Sequence, residues 1–218
     1  MSDFYGDEHR AFQDQFETRR MADLMEQAIF KTELDDMDRQ FVQTRDMFFL
    51  STLDHRGRPT VSYKGGDAGF IKVVDSCTIA FASYDGNGMY YSMGNLAGNP
   101  EVGMLFIDFE KPNRMRLQGR ASIMADDPLL AEYKEADLVV RVAITQTWVN
   151  CPRYIHRYQK VEQSRYVPRV ERETPFCTWK RIEGFSDVLR PRDLGKVEAE
   201  GGLLTIEQYM EKVAKGET

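Results

Sequence analysis

Length, charge and composition exclude several classes of protein at the outset. The chain has 218 residues and a formal net charge of -6 at pH 7, so it lacks the basic excess typical of nucleic-acid-binding proteins. No stretch approaches the roughly eighteen uninterrupted apolar residues of a membrane span, and the amino terminus lacks the pattern of a secretory signal. We therefore expect a cytoplasmic protein that binds a small molecule, with neither nucleic acid nor membrane as a partner.

The cysteines and histidines predict neither disulfides nor a metal site. Cys77, Cys151 and Cys177 are odd in number and lack CxxC spacing, which favours reduced thiols over a disulfide framework or a structural zinc. The three histidines lie far apart in sequence, so we predict no metal.

Charge is distributed unevenly along the chain. Residues 1–40 hold eleven acidic and five basic side chains, whereas residues 138–192 hold five acidic and eleven basic ones. The later segment is therefore expected to face something anionic, either a phosphate-bearing ligand or the acidic helices of a partner subunit. An ordinary solvated surface explains the same composition.

Residues 1–46 are predicted to form a helical extension. Apolar residues recur at helical spacing over residues 8–30, and Asp35 or Asp36 is placed to cap a second helix that runs to about Arg45.

From Met47 the pattern changes to short β segments separated by turn residues. One short helix, MYYSMGNLAGN, interrupts them, and another is predicted over residues 126–137. The β segments are FFLSTLD, PTVSYK, IKVVD, CTIAFAS, VGMLFIDF, RMRLQGRASIM and LVVRVAITQTWV. This pattern predicts a mainly β protein with a compact antiparallel barrel at residues 47–149. Residues 150–218 would add a basic flap segment and a C-terminal amphipathic helix, within one structural domain overall.

Three polar clusters are candidates for ligand binding. The segment Ser83–Asn95 runs from a strand end through a Gly- and Asn-containing loop to a helix start, which suits a phosphate group, although DGNG fits a tight hairpin turn equally well. In the second cluster, Ser62–Gly66, Lys64 can neutralise a phosphate and the glycine pair can admit a planar ligand. Arg114 and Arg116, the third, alternate onto one strand face, although an exposed cross-strand ion pair would also explain one of them.

No nucleophile elbow, HExxH motif or Walker loop is present, so an enzymatic activity would depend on a bound cofactor. We assign no catalytic residue from the sequence. His55 is interpreted as a solvated turn residue.

The order of MFFLSTLDHRGRPTVSYKGG, TIAFASYDGNGMYYSMGNLAGNPEVGMLFIDF and RMRLQGRA resembles the pyridoxamine 5'-phosphate oxidase-like, FMN-binding split-barrel family over roughly residues 41–125. The resemblance implies a six-stranded antiparallel split barrel and a homodimer with FMN at the subunit interface. Residues on both subunits would then contact the flavin. By position these are Ser62, Tyr63, Lys64, Gly65, Gly66, Ala82, Ser83, Asn87, Gly88, Met89, Tyr90, Tyr91, Ser92, Asn95, Arg114 and Arg116, with Arg153 and Tyr154 reaching in from the other subunit.

The chain departs from the oxidase proper at charged positions. The oxidase carries an Arg-Lys pair where Tyr91 and Ser92 stand, and an arginine at the position of Ser62. Phosphate neutralisation is therefore expected from another cation, and the candidates are Lys64, Arg116, Arg153 and Arg157. The oxidase's substrate-binding Arg and His also lack a counterpart, so we do not expect vitamin B6 oxidation.

The resemblance thus implies an FMN-dependent oxidoreductase that acts on a small soluble substrate. Three alternatives stay open from sequence: a non-catalytic flavin or haem carrier or sensor, an F420-dependent reductase on the same barrel, and a cofactor-free dimeric scaffold. The segment Cys151–Tyr154 is equally well explained as a flap over the flavin or as a dimer-packing loop.

Overall fold

A seven-stranded antiparallel sheet forms the centre of the fold, which we describe from a computed structural model covering residues 4–218. Its strands are β1 (Met47–Leu53), β2 (Pro59–Gly65), β3 (Lys72–Asp75), β4 (Thr78–Tyr84), β5 (Glu101–Asp108), β6 (Asn113–Met124) and β7 (Ala136–Asn150). The helices are α1 (Asp7–Gln15), α2 (Arg19–Ile29), α3 (Asp36–Gln43), α4 (Tyr91–Gly98), α5 (Lys196–Ala199) and α6 (Ile206–Lys215). The predicted mainly β class with peripheral helices is confirmed.

The sheet curls round to enclose its own core. The strand order is β2-β1-β5-β6-β7-β4-β3, so three strands lie between β1 and β4. Even so, the rings of Phe48 on β1 and Phe81 on β4 have centroids 4.9 Å apart, and Phe106 on β5 packs on Phe48 from the side. All three rings are fully buried. A flat sheet cannot bring β1 and β4 together. The sheet is therefore curved into a barrel, with the apolar side chains of these strands packed inside it.

Two predictions about the elements are wrong. The barrel sheet has seven strands rather than six, because IKVVD forms the short edge strand β3 and pairs with β4. The helix predicted over 8–30 is two helices, since Glu17 has a φ of 56°, which is not helical, and this interrupts the helix between α1 and α2. This hairpin is tied to the sheet by Phe30, whose ring stacks on Trp148 of β7.

The helix predicted over residues 126–137 is also wrong, because only a 3-10 turn forms at Pro128–Glu132. β7 begins at Ala136 and pairs with Tyr84 of β4, so strand pairing takes up the remaining residues. The predicted cap Asp127 is present and accepts a hydrogen bond from the Leu129 amide. Asp35 likewise caps α3, as its sequence position predicts.

The chain divides into two compact units, the first ending at Gln163 and the second covering Ser164–Thr218. The second unit contains short 3-10 turns, α5 and the predicted C-terminal helix α6, whose Thr205 cap accepts from the Gln208 amide. It also holds a buried ion pair, with Lys180 Nζ 2.6 Å from Asp193 Oδ2. The predicted boundaries at residues 46 and 149 stay a prediction. Within residues 4–218, no helix is both long and apolar enough to cross a membrane.

Candidate functional site

A cavity of about 360 Å³ opens where β2, the end of β4 and the start of α4 meet. Polar and small residues from three chain segments form its wall. They are Ser62, Lys64, Ser83, Tyr84, Gly86, Asn87, Gly88, Tyr90, Tyr91, Ser92 and Met93. Its volume lies in the range of about 300–1,000 Å³ that is usual for small-molecule pockets.

The register of β2 decides which of its side chains reach the cavity. Leu50 and Phe48 of β1 lie opposite Ser62 and Lys64, so these polar side chains share the core side of the sheet. Tyr63 alternates to the outer side and packs edge-on against Phe49, with ring centroids 6.1 Å apart. On its core side β2 therefore carries the polar residues Ser62 and Lys64, which border the cavity at the edge of the apolar core.

Buried hydrogen bonds fix α4 against β1. Asn95 of α4 donates through Nδ2 to Thr52 Oγ1 over 3.0 Å, and that hydroxyl lies 2.9 Å from Thr60 Oγ1 of β2. One turn earlier, the Tyr91 hydroxyl donates to Asp54 Oδ2 over 3.3 Å. These contacts hold the start of α4 in place over the cavity.

Asp54 is the anchor of this arrangement. Its carboxylate accepts from the Arg56 guanidinium and from the backbone amides of Arg56 and Arg58, each amide at 2.9 Å. The Arg56 side chain is the main cause that holds the pKa of Asp54 well below its ordinary value, and the two amides act in the same direction. Asp54 is therefore ionised at neutral pH and keeps the β1–β2 turn closed beside Tyr91.

The backbone is strained where α4 begins. Tyr90 lies in the left-handed region with a φ of 47°, which is rare for a residue with a side chain. No side chain caps the helix at this position, so the amides of its first turn are open to a ligand from the cavity side. Helix starts of this kind attract anions.

Lys64 provides the positive charge of the cavity. Its Nζ lies 3.5 Å from Ser92 Oγ, and no carboxylate pairs with it within the described chain. Burial lowers its pKa below the ordinary value, because the half-buried ammonium loses hydration without gaining a counter-charge. No other lysine or arginine of the described residues lines the cavity.

The structure brings together eight of the predicted site residues. They are Ser62, Lys64, Ser83, Asn87, Gly88, Tyr90, Tyr91 and Ser92. Sequence reasoning missed Tyr84, Gly86 and Met93, although all three lie in the segment Ser83–Asn95 that it singled out. The support given by Asp54 and Thr52 was also missed, since nothing in sequence shows that β1 faces α4.

Four other predicted residues lie beside the cavity rather than in its wall. Ala82 is buried in a small cluster with Tyr133. Gly65 and Gly66 leave room for protein side chains, since a Cβ would come within 2.7 Å of the Tyr63 ring at Gly65 and within 2.4 Å of Phe70 at Gly66. Tyr63, as described, points outward.

Met89 and Asn95 line a second, neighbouring cavity of about 660 Å³. Tyr90 and Tyr91 line both cavities and therefore form the wall between them. His55, interpreted from sequence as a turn residue, also borders the second cavity.

Arg114 and Arg116 lie on the opposite side of the sheet from the cavity. On β6 they alternate with Met115 and Leu117, which are buried in the barrel core, so the two arginines point outward. Arg116 borders an apolar groove of about 420 Å³ on this outer face, with Trp148 among its other walls. Neither arginine can reach the cavity of its own chain from there.

Arg153 and Tyr154 are exposed and do not line the cavity. They belong to an irregular segment after β7 that is fixed further along, where the Tyr158 amide donates to the Phe109 carbonyl over 3.1 Å. Arg157, a candidate for phosphate neutralisation, instead donates to the Glu110 carbonyl over 3.3 Å. Of the four candidate cations, Lys64 alone faces the cavity within the described part of the chain.

Comparison with known protein families identifies this architecture. The sequence model described as pyridoxamine 5'-phosphate oxidase matches residues 34–165, more than half of the chain. The chain belongs to this family. The match includes every strand of the barrel and the start of α4, so the family resemblance predicted from sequence is confirmed. None of the curated proteins compared with the chain matches it.

Solved structures of similar shape come from proteins with different printed roles. A Lactobacillus delbrueckii protein described as a candidate pyridoxamine 5'-phosphate oxidase is 20% identical, with a TM-score of 0.45 over 54% of this chain and 95% of its own. A haem storage protein of Vibrio cholerae is 19% identical, with a TM-score of 0.39 over 53% of this chain and 94% of its own. An F420 reductase is 16% identical, with a TM-score of 0.41 over 52% and 98%. At these scores and identities, none of the three bears on what this chain does.

Among residues 4–218, no group of three or more His, Cys, Asp and Glu side chains is arranged to hold a metal ion.

Proposed function

We propose that the chain binds FMN in the cavity between β2, β4 and α4, with the phosphate group at the start of α4. The observation that carries the proposal is Lys64, a half-buried ammonium with no carboxylate partner in the described chain, beside Ser92 at an uncapped helix start. An unpaired buried cation is costly, and a phosphate would supply its missing counter-charge. The missing Arg-Lys pair of the oxidase proper would thus be replaced in part by Lys64 and by backbone amides.

The same proposal includes a homodimer in which each flavin contacts both subunits. Arg114 and Arg116 point away from the cavity of their own chain, so they would serve the cavity of a second copy. Arg116 is exposed on this face beside Trp148, so it is available to a second copy. For Arg153 and Tyr154 we favour the dimer-packing alternative over the flap, because both are exposed and neither lines the cavity.

The activity we propose is that of a flavin-dependent oxidoreductase acting on a small soluble substrate. When bound, FMN would supply the redox chemistry. The chain itself would position the cofactor: Lys64 and Ser92 would bind the phosphate, Asn87 would hydrogen-bond the ribityl chain, and the paired tyrosines would exclude water from one side. No side chain is assigned as acid or base. We also propose a cytoplasmic location, which suits cysteines that form no disulfide within the described residues.

The main alternative is a haem carrier or sensor. In the described chain, neither histidine nor cysteine lines the cavity, so the commonest axial ligands of haem iron are missing from it. The polar wall and the cation at one end also suit a phosphate ester better than a porphyrin. An F420-dependent reductase would use the same phosphate site, and a cofactor-free scaffold would leave Lys64 unexplained.

The absorption spectrum of the purified protein, followed by mass spectrometry of the released cofactor, tests this proposal. We expect flavin bands and a released molecule with the mass of FMN, or uptake of FMN by colourless protein. A Soret band, or release of F420, would replace FMN with one of the alternatives. Protein that is colourless and takes up no FMN would refute the proposed function.

A further inference from the structure

Two exposed surfaces of the first unit are unusual because both combine apolar side chains with unpaired charges. The first is the helical hairpin, residues 7–29. The second is the arm, residues 151–162, which has no regular secondary structure. We ask what covers each of them.

The helical hairpin presents large apolar side chains to solvent. Phe12 and Phe16 are 64% and 65% exposed, Met21 and Leu24 are 60% and 59% exposed, and α2 contains no buried residue. Phe12 on α1 and Phe16 at the end of α1 are one turn apart, and Met21 and Leu24 are one turn apart on α2, so each helix presents an apolar stripe of the kind that a second molecule commonly covers. The hairpin is nevertheless held firmly on the outer face of the sheet, through the stacking of Phe30 on Trp148.

The arm has the same character with the opposite charge. Tyr154 is 80% exposed and Val161 is 96% exposed, although the residues between them are anchored to the sheet. That anchor consists of the Tyr158 amide bond to Phe109 and the ion pair of Lys160 with Asp46 at 2.7 Å. No hydrogen bond, ion pair or ring contact joins the arm to the hairpin of its own chain within the described residues.

The charges of the two surfaces match. The hairpin holds six acidic and three basic side chains, whereas the arm holds three basic and one acidic. Arg10 pairs with Asp23 and Arg19 pairs with Asp14 inside the hairpin. In the described chain Asp7, Glu8, Glu17 and Arg20 of the hairpin have no ion-pair partner, which leaves an acidic excess there. In the arm Lys160 is paired with Asp46, whereas Arg153 and Glu162 have no ion-pair partner within the described residues, so Arg153 is the cation available to the hairpin.

We propose that the arm of one subunit docks on the helical hairpin of a second copy of this chain. Tyr154 and Val161 would cover the apolar surface formed by Phe12, Phe16, Met21 and Leu24, and Arg153 would face the unpaired acids. The inference rests on the dimer of the proposed function and extends it, because it assigns a role to the hairpin, which lies outside the family match for residues before Leu34. It also explains the uneven distribution of charge along the chain, because the acidic hairpin of each subunit would contact the basic arm of the other.

Disulfide trapping tests the contact directly, because Cys151 is an exposed thiol at the start of the arm. The variant Phe16→Cys places a thiol on the hairpin, which has no cysteine of its own, as a partner for Cys151. After mild oxidation, we expect a covalent dimer of twice 25.2 kDa on non-reducing gels. The same band should be missing from the unmodified chain, from Phe16→Cys with Cys151→Ser, and from Val74→Cys, which places an exposed thiol on the edge strand β3.

Three outcomes would overturn the inference. An internal disulfide that leaves the chain monomeric would show that arm and hairpin meet within one subunit. A covalent dimer that forms equally well with Val74→Cys, or without Cys151, would reflect random collision. A chain that is monomeric by light scattering at every concentration would exclude a second copy altogether.

Charge reversal tests the same contact independently, in a chain that keeps its native cysteines. Arg153→Glu should weaken dimerisation about 25-fold, because the dimer contains the contact twice and each exposed ion pair contributes about fivefold, and adding Glu17→Arg should restore it. If the second change gives no restoration, the charges do not meet. FMN uptake is also measured on the disulfide-trapping samples. A dimer that binds FMN but forms no disulfide-linked band refutes the docking of the arm and leaves the proposed FMN site intact. A disulfide-linked dimer that takes up no FMN refutes the proposed FMN site and leaves the docking intact.

Discussion

Replacing Lys64 with methionine isolates the charge on which the proposed phosphate site depends. A lysine and a phosphate about 4 Å apart attract each other by about 4 kcal/mol at an effective dielectric constant of about 20. Part of this is offset by desolvation, so a hydrogen bond between charged groups contributes about 2 kcal/mol in net terms. Lys64→Met should therefore weaken FMN binding about 30-fold, at about 1.4 kcal/mol for each factor of ten.

Flavin fluorescence titration measures this loss, and riboflavin is the matched control. Because riboflavin has no phosphate, its affinity should change less than about threefold in the variant. The fold should survive, since the change removes a half-buried unpaired charge and keeps the length of the side chain. If Lys64→Met binds FMN as tightly as the unmodified chain, or loses affinity for FMN and riboflavin equally, Lys64 does not bind the phosphate.

The pKa of Lys64 adds a pH dependence with a definite sign. Burial lowers the pKa of this lysine from 10.5, and a bound phosphate would raise it again by stabilising the ammonium. Affinity for FMN should thus be complete below the pKa of the free protein and decline as the pH rises through that of the complex. The Lys64→Met variant should lack this alkaline decline.

Three further predictions concern the framework of the site and of the second unit. Phe48→Ala should cost about 4 kcal/mol of unfolding free energy in urea titrations, because Phe48 joins both sides of the barrel; a loss under about 1 kcal/mol would show that the barrel is not closed there. Asp54→Asn should lower the melting temperature at pH 7. Because folding depresses the pKa of Asp54, its contribution to stability is present above about pH 3.8 and is lost as the pH falls, so the melting temperature of the variant should depend less on pH in the acid range. An unchanged dependence of melting temperature on pH would contradict this. Lys180→Met should cost about 3 kcal/mol, because the buried Asp193 would keep only the more distant Lys196 at 3.6 Å as a partner, whereas Lys180→Met with Asp193→Leu should recover most of the loss; equal losses in both would place the effect elsewhere.

Much of the barrel could be predicted because β2, β5 and β6 alternate between more buried and more exposed residues and the turns carry Gly, Pro and Asn. β1, β2 and β6 follow from this pattern nearly to the residue. The count of six strands came from the family resemblance, and the short edge strand β3 shows that the pattern itself was the better guide. The helix predicted at 126–137 could not be corrected from sequence, because only the long-range pairing of Ala136 with Tyr84 shows that a strand begins there.

The site was predictable where one segment supplies several residues and unpredictable where it depends on register. The segment from Ser83 to Ser92 was found because its glycines and helix start follow one another in sequence. Arg114 was placed near the flavin by family position, and only the alternation with Met115 shows that it faces away from its own cavity. The role of Asp54 depends on a tertiary contact with Tyr91, which leaves no local signal.

The central claim is that each chain binds one FMN in a site that a second chain completes. Titration of FMN into the purified protein by isothermal calorimetry, with light scattering of the same sample, tests it most directly. We expect one FMN per chain, two per dimer, and an affinity for FMN that falls when dilution separates the subunits. An absence of measurable binding, or full-affinity binding by a monomer, would contradict it.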